Sequence, residues 1–253
     1  TFSAYAGSSS NPSPYMDVFV SDNQLTLTPV EDFNGDVQIS VSLTDGEYTD
    51  NTVFTLIVTP VNDAPLIDLP DSFTFEEDGG LLEDFSDFTD DVDEDVLTLS
   101  VSDNINITVS IDGFDVTFGS VQDFNGTETL TFTVNDNQGR AIASDDIDVV
   151  VTPVNDAPVM DSIGVQLTDE DIPLTITLSG SDVDEDILTF SAVSEYPGYV
   201  SAEVVGNQLT LTPVEDFNGD VQISVRANDG TVNSSPETFI LTVTPVNDAP
   251  VMV

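Results

Sequence analysis

Between residues 172 and 244, apolar positions alternate with threonine, serine and other polar residues in short runs. The runs are IPLTITL (172–178), ILTFSAV (187–193), YVSAEVV (199–205), QLTLT (208–212), DVQISVRA (220–227) and TFILTVT (238–244). A period of two gives each run one apolar face and one wet face, the signature of a half-buried strand. Pro197-Gly198, Asn218-Gly219 and Asp229-Gly230 fall between the runs and supply the turns. No segment carries a helical period of useful length. The spacing predicts an all-β sandwich of about seven strands.

The same pattern recurs along the chain. VNDAP stands at 61–65, 154–158 and 246–250, each copy preceded by VTP. NQLTLTPVEDFNGDVQISV at 23–41 returns unchanged at 207–225, and a diverged form, VTFGSVQDFNGTETLTFTV, occupies 116–134. DVDED occurs at 91–95 and 182–186. A fixed period of this length is the mark of a repeat array. The organisation expected is an incomplete repeat over 1–60, a link at 61–65, a repeat over 66–153, a link at 154–158, a repeat over 159–245, and a link with the start of a further repeat over 246–253. Aligning Thr1-Phe2-Ser3-Ala4 with Thr189-Phe190-Ser191-Ala192 leaves the first repeat without its opening strand and its DVDED segment. The expectation is an excerpt of a longer array, with a subunit completed by a strand from an identical chain as the alternative. The short proline-containing links suit end-to-end stacking with restricted hinges.

Composition narrows the chemistry. The 253 residues include 48 Asp and Glu against two basic residues, Arg140 and Arg226, for a formal charge of −46. That charge excludes nucleic acid as a partner, since binding it requires phosphate neutralisation, and it disfavours an anionic membrane surface. Both arginines are expected to pair with surface acids. The absence of cysteine and histidine removes disulfides, thiolate sites, and the commonest general base and metal ligand. No apolar run approaches the length of a membrane-spanning helix.

The acids are grouped where strands end, and the groups recur. They are Glu76-Glu77-Asp78 and Asp169-Glu170-Asp171; the two DVDED segments; Glu31-Asp32, Gln122-Asp123 and Glu215-Asp216; Asp45, Asp136 and Asp229; and the Asn-Asp of each link. Calcium takes about six to eight oxygen ligands from carboxylates, amides and carbonyls, and no nitrogen or sulfur donor is present to favour zinc or copper. Asn34-Gly35, Asn125-Gly126 and Asn218-Gly219 read as structural turns, and Phe33, Phe124 and Phe217 as core plugs.

This ordered set resembles the cadherin-like tandem repeats of large bacterial surface proteins and adhesins. VNDAP is similar to the cadherin link, DVDED to the cadherin Asp-x-Asp, PVEDFNG to the acidic Leu-Asp-Arg-Glu turn without its arginine, and NDG or NDNQG to the late turn. The resemblance covers the whole chain and implies Ig-like, cadherin-like Greek-key sandwiches stacked end to end, with one to three Ca2+ ions at each junction. Carried over residue by residue, it assigns Glu31, Asp32, Asn62, Asp63, Asp91, Asp93 and Asp136 to a first junction. Glu77, Asp123, Asn155, Asp156, Asp182, Asp184 and Asp229 go to a second. Glu170, Asp216, Asn247 and Asp248 go to a third.

The function expected is a calcium-rigidified extracellular spacer, stalk or filament segment of a surface adhesin, secreted or on the cell surface and not inserted in a membrane. Its partners would be neighbouring repeats of the same or an identical chain, and surface glycans or proteins. A paired-carboxylate hydrolase is disfavoured, because the acids repeat and no pair stands apart. The rival is a calcium-dependent carbohydrate-binding module, for which Tyr5, Tyr15, Tyr196 and Tyr199 are the candidate platforms in a chain without tryptophan.

Overall fold

A computed structural model describes residues 1–8, 11–139 and 142–247. Arg140, Asp248 and the residues after it, with the expected further repeat, lie outside the described residues. Contacts divide the chain into two compact units: 1–75 with 79–151, and 76–78 with 152–253.

In the second unit, every alternating run read above is a strand. Thr189–Ser194, Gly219–Asn228 and Glu237–Thr244 form one sheet, which Gln166–Asp169 extends by parallel pairing with Glu237–Thr244. Leu174–Thr177, Gln208–Pro213 and Val200–Val205 form the facing three-stranded sheet. The alternation buries Val221, Ile223, Val225 and Ala227 on one sheet against Leu209, Leu211 and Val200 on the other. Two layers with their apolar faces inward are the sandwich expected from the pattern.

The first unit repeats the architecture over 66–151. Thr98–Ser102, Gly126–Asn135 and Ile142–Thr152 form a sheet with Ser72–Glu76, and Ile107–Asp112, Asp115–Ser120 and Leu81–Asp84 form its partner. Its core is aromatic: Phe85, Phe118 and Phe132 are buried, and Phe85 and Phe132 lie 4.7 Å apart. Phe85 is carried in on a 3-10 turn, Phe85–Phe88, capped by the Asp84 carboxylate accepting from Ser86 N.

Residues 1–58 form a smaller cluster around Ala6, Met16, Val37 and Ile39. Phe2–Ser8, Gly35–Thr44 and Thr49–Val58 pair in one sheet, and Met16–Ser21 pairs with Gln24–Pro29. Two edges differ from the other repeats. Among the described residues, Thr49–Val58 and Gln24–Pro29 lack the partners that Gln166–Asp169 and Leu174–Thr177 give their counterparts. Val53 and Ile57 on Thr49–Val58 are exposed.

The turn PVEDFNG has one geometry in all three repeats. Asp32, Asp123 and Asp216 take φ of 60°, 56° and 59°, and Gly35, Gly126 and Gly219 take 130°, 144° and 137°. A Cβ on Gly126 would sit 3.3 Å from the Phe124 ring, which lies over this glycine. Phe33, Phe124 and Phe217 are half-buried and pack against their cores.

Candidate cation sites

Each DVDED segment curls into a loop that collects its own carboxylates. Glu94 and Glu185 adopt left-handed φ of 58° and 62°. The turn brings the N–H groups of Asp93 and Asp95 onto Asp91 Oδ1, at 3.0 and 3.2 Å. In the second unit Asp182 Oδ1 accepts from Asp184 N and Asp186 N at 2.9 and 3.4 Å. The other oxygens, Asp91 Oδ2 and Asp182 Oδ2, are buried without a hydrogen-bond partner. Carboxylate oxygens of Asp91, Asp93 and Asp95 lie within 4.8 Å of one another, as do those of Asp182, Asp184 and Asp186. A buried carboxylate oxygen with no donor, on an aspartate clustered with two further carboxylates, is costly unless a cation joins them.

The links are tied to these loops. Asp63 N donates to Asp93 Oδ2 at 2.8 Å, and Asn62 Nδ2 donates to Asp136 Oδ2 at 2.7 Å and to Asp63 O at 2.9 Å. The second link repeats the arrangement. Asp156 N donates to Asp184 Oδ2 at 2.8 Å, and Asn155 Nδ2 donates to Asp229 Oδ2 and Asp156 O, both at 2.9 Å. Glu77, 3% exposed, accepts from Val154 N at 2.5 Å. Glu170 does the same with Val246 N at 2.6 Å. The Asn of the link is thus an amide donor that orients an acid.

The remaining assigned residues divide. Asp32 lines a cavity of about 260 Å³ with Asp63 and Asp93; Glu31 is exposed on the same turn. Asp216 is exposed on its turn, and Asn218 reaches Glu170 Oε2 at 3.5 Å. Asn247 is exposed at the end of the described residues. Asp123 belongs to the first unit, where Gln122 Nε2 donates to it at 3.2 Å, whereas Glu77, Asn155, Asp156, Asp182, Asp184 and Asp229 belong to the second. Arg226 donates to the Ser234 carbonyl at 3.2 Å, a backbone partner in place of the surface acid expected.

Hydrogen bonding favours the ionised form of two of these acids. The Asn62 amide, seconded by Gln138 N–H, holds the Asp136 carboxyl below its ordinary value. The Asn155 amide does the same for Asp229, aided by Val232 and Thr231 N–H groups and opposed by burial. Each donor favours the anion, so both carboxyls give up their proton at a lower pH than an ordinary aspartate.

Sequence reasoning stopped at the first two acids of each DVDED segment and missed Asp95 and Asp186. The signal was present, since both continue the every-other-residue spacing of Asp91-Asp93 and Asp182-Asp184. Gln138 was also missed; its Nε2 donates to Asp95 at 3.0 Å.

The cadherin-like domain family matches residues 154–244, and the bacterial Ig domain family matches 62–152. No curated protein matches the chain. Mouse protocadherin-24 EC1-3 aligns with a TM-score of 0.53 at 16% identity, over 96% of this chain and 90% of that one. Human protocadherin-24 EC1-2 (form II) aligns at 0.50 and 18%, over 75% of this chain and 100% of that one. An endo-fucoidan hydrolase of glycoside hydrolase family 107 gives only 0.36 at 19%, and the chain spans 39% of its length. These likenesses bear on the fold alone. Cadherin-like and bacterial Ig domains are typical of extracellular or surface proteins and are typically not enzymes, and among the described residues no helix is long and apolar enough to cross a membrane. Motif order, sandwich topology and the two family matches agree: residues 154–244 match a cadherin-like domain and residues 62–152 a bacterial Ig domain, consistent with cadherin-like tandem repeats.

Proposed function

We propose that this chain is a spacer segment of an extracellular adhesin or stalk, stiffened by calcium bound where each link meets a DVDED loop. The observation that carries the reading is the pair of buried, donorless oxygens, Asp91 Oδ2 and Asp182 Oδ2, each on an aspartate that clusters with two further carboxylates within 4.8 Å. The donor set is all oxygen, which fits calcium, and carboxylates this dense suit it better than magnesium, which keeps its waters. Bound calcium would supply charge neutralisation and a fixed coordination polyhedron.

The chain's own residues prepare the site. Asp91 and Asp182 hold their loops closed through backbone N–H groups. Asp93 and Asp184 grip the link backbone, and Asn62 and Asn155 orient Asp136 and Asp229. A ligand joining these groups restricts the link, because loop, link and late turn then share one set of bonds. The recurrence of the site in place of a unique carboxylate pair favours a mechanical role over a catalytic one.

The test is calcium titration with small-angle scattering and thermal melting. Extracellular calcium modules bind at roughly 10⁻⁴–10⁻³ M, so millimolar calcium should raise the melting temperature and lengthen the particle relative to chelator. Identical curves in chelator and calcium would sink the proposal. Recovery of both properties by sodium chloride alone would assign the acids to a salt-adapted surface.

A further inference from the structure

Two of the three repeats carry an exposed tyrosine stacked on the phenylalanine of the acidic turn. Tyr15 lies 4.9 Å from Phe33 with an interplanar angle of 11°, and Tyr199 lies 5.0 Å from Phe217 at 16°. Their exposures are 54% and 53%. In each case the phenylalanine backs one ring face, and half of the tyrosine surface remains in solvent. Tyr196, 48% exposed, stands 6.2 Å from Tyr199 at 59°, so the third repeat presents two rings set at an angle. The backbone fixes the tyrosines: Val30 N donates to Tyr15 O at 3.0 Å and Val214 N to Tyr199 O at 2.9 Å. The middle repeat keeps that bond, Val121 N to Asn106 O at 2.8 Å, but carries an asparagine there. Sandwich packing therefore does not require an aromatic ring at this position.

We propose that the Tyr15–Phe33 and Tyr199–Phe217 stacks are docking platforms for a neutral glycan. A ring held flat by a second ring loses little conformational freedom on binding. Its apolar face suits the C–H face of a pyranose. The surroundings are rich in acceptors: Asp32 beside the first stack, Glu215 and Asp216 beside the second, all exposed. Those carboxylates complement the hydroxyl donors of a sugar. A net charge of −46 excludes sulfated and uronic acid polymers, whose own charge would be repelled. The occupant is thus an uncharged, hydroxyl-rich saccharide. The platform goes beyond the spacer reading and rests on the tyrosine–phenylalanine stacks; Asp32 and Asp216 beside them are also among the acids assigned to calcium, so the two readings are separated by titrating in calcium and in chelator.

The experiment titrates the intact chain with cellohexaose, xylohexaose, mannohexaose and maltohexaose, with heparin as the anionic counterpart, in calcium and in chelator. Calorimetry gives stoichiometry, and tyrosine fluorescence reports the site directly because the chain has five tyrosines and no tryptophan. At least one neutral hexaose should bind at about two per chain, with heparin silent. Tyr15→Ala and Tyr199→Ala should each remove one site. Tyr15→Phe and Tyr199→Phe keep the stack and should bind within about tenfold of the parent, which separates loss of the platform from loss of fold. Absence of binding by every neutral hexaose up to about 10 mM, binding that survives both alanine substitutions together, or binding of heparin alone overturns the proposal. Failure of the calcium reading would appear instead as melting indifferent to calcium, with these tyrosine readouts unchanged.

Discussion

Replacing Asp182 by asparagine separates the electrostatic cost of the DVDED loop from the benefit of its ligand. Asp182 Oδ1 holds the loop through Asp184 N and Asp186 N, and asparagine keeps that acceptor. Its Oδ2 is buried and has no donor, and a carboxylate oxygen of Asp182 lies within 4.8 Å of carboxylate oxygens of Asp184 and Asp186. Each such pair repels by about 3.5 kcal/mol at an effective dielectric near 20 and by about 0.9 kcal/mol in bulk water. Asp186 is exposed and Asp182 and Asp184 only half-buried, so the aqueous end applies and the two pairs sum to about 2 kcal/mol before salt screening. Asp182→Asn removes that repulsion and places an amide donor toward both carboxylates. In chelator and low salt the variant should melt higher by at least about 4 °C, since 1 kcal/mol moves a domain of this size by about 4–8 °C. Calcium acts oppositely. At about 5 mM calcium and a dissociation constant near 10⁻⁴ M, binding adds about 2.3 kcal/mol; a tenfold weaker site adds about 1.1. The gap between the calcium and chelator melting curves should therefore shrink by half or more, while the chelator curve rises. Scanning calorimetry in both buffers reads the two shifts. A variant that melts lower in chelator, or keeps the full calcium-induced gap, would falsify the account of the orphaned oxygen. In about 1 M salt, where the screening length is about 3 Å, the chelator gain should fall away.

The other perturbations act on the link, the core and the acidic turn. Asp229 has a depressed carboxyl pKa, so the stability its anion contributes is present above the ordinary value of 3.8 and is lost as pH falls through the lower native value. In chelator, Asn155→Ala should lower the melting temperature at neutral pH, and the deficit should close as pH drops below 3.8; a deficit constant from pH 7 to pH 2 would mean that the amide does not act through the Asp229 charge. Phe132 is fully buried against Phe85 and Phe118, and Phe132→Ala should cost about 3–5 kcal/mol in urea unfolding. Gly126→Ala meets the Phe124 ring at 3.3 Å with φ of 144°, whereas Gly113→Ala at φ of 65° meets nothing within 4 Å, so the first should destabilise by clearly more than the roughly 1 kcal/mol expected of the second.

The strands were legible because each strand faces a core on one side and water on the other, so its sequence must alternate. Gly219–Asn228 and Glu237–Thr244 follow that rule along their length. Gln166–Asp169 escaped notice because it is a four-residue edge strand whose exposed Leu167 breaks the alternation. The 3-10 turn at Phe85–Phe88 was equally silent: Phe85 enters the core from a connection that has no period.

The acids were legible for a different reason, and their legibility was partial. A packed core tolerates many apolar substitutions, but a cluster of carboxylates persists only where something compensates its repulsion, so Asp91-Asp93 and Asp182-Asp184 stand out from any background of surface charge. Sequence identified these acids without distinguishing their tasks. Asp136 and Asp229 are each held by a link amide, Asp93 and Asp184 each grip a link N–H, and among the described acids Asp91 and Asp182 present a buried oxygen with no hydrogen-bond partner. Those tasks depend on which oxygen faces which donor, and that is set by the left-handed turns at Glu94 and Glu185. Glutamate has no special preference for that conformation, so residue type could not reveal it. The loop closes because Asp91 and Asp182 accept backbone N–H groups from two and four residues on, and the same closure brings Asp95 and Asp186 into the cluster. The third acid is therefore a consequence of the turn.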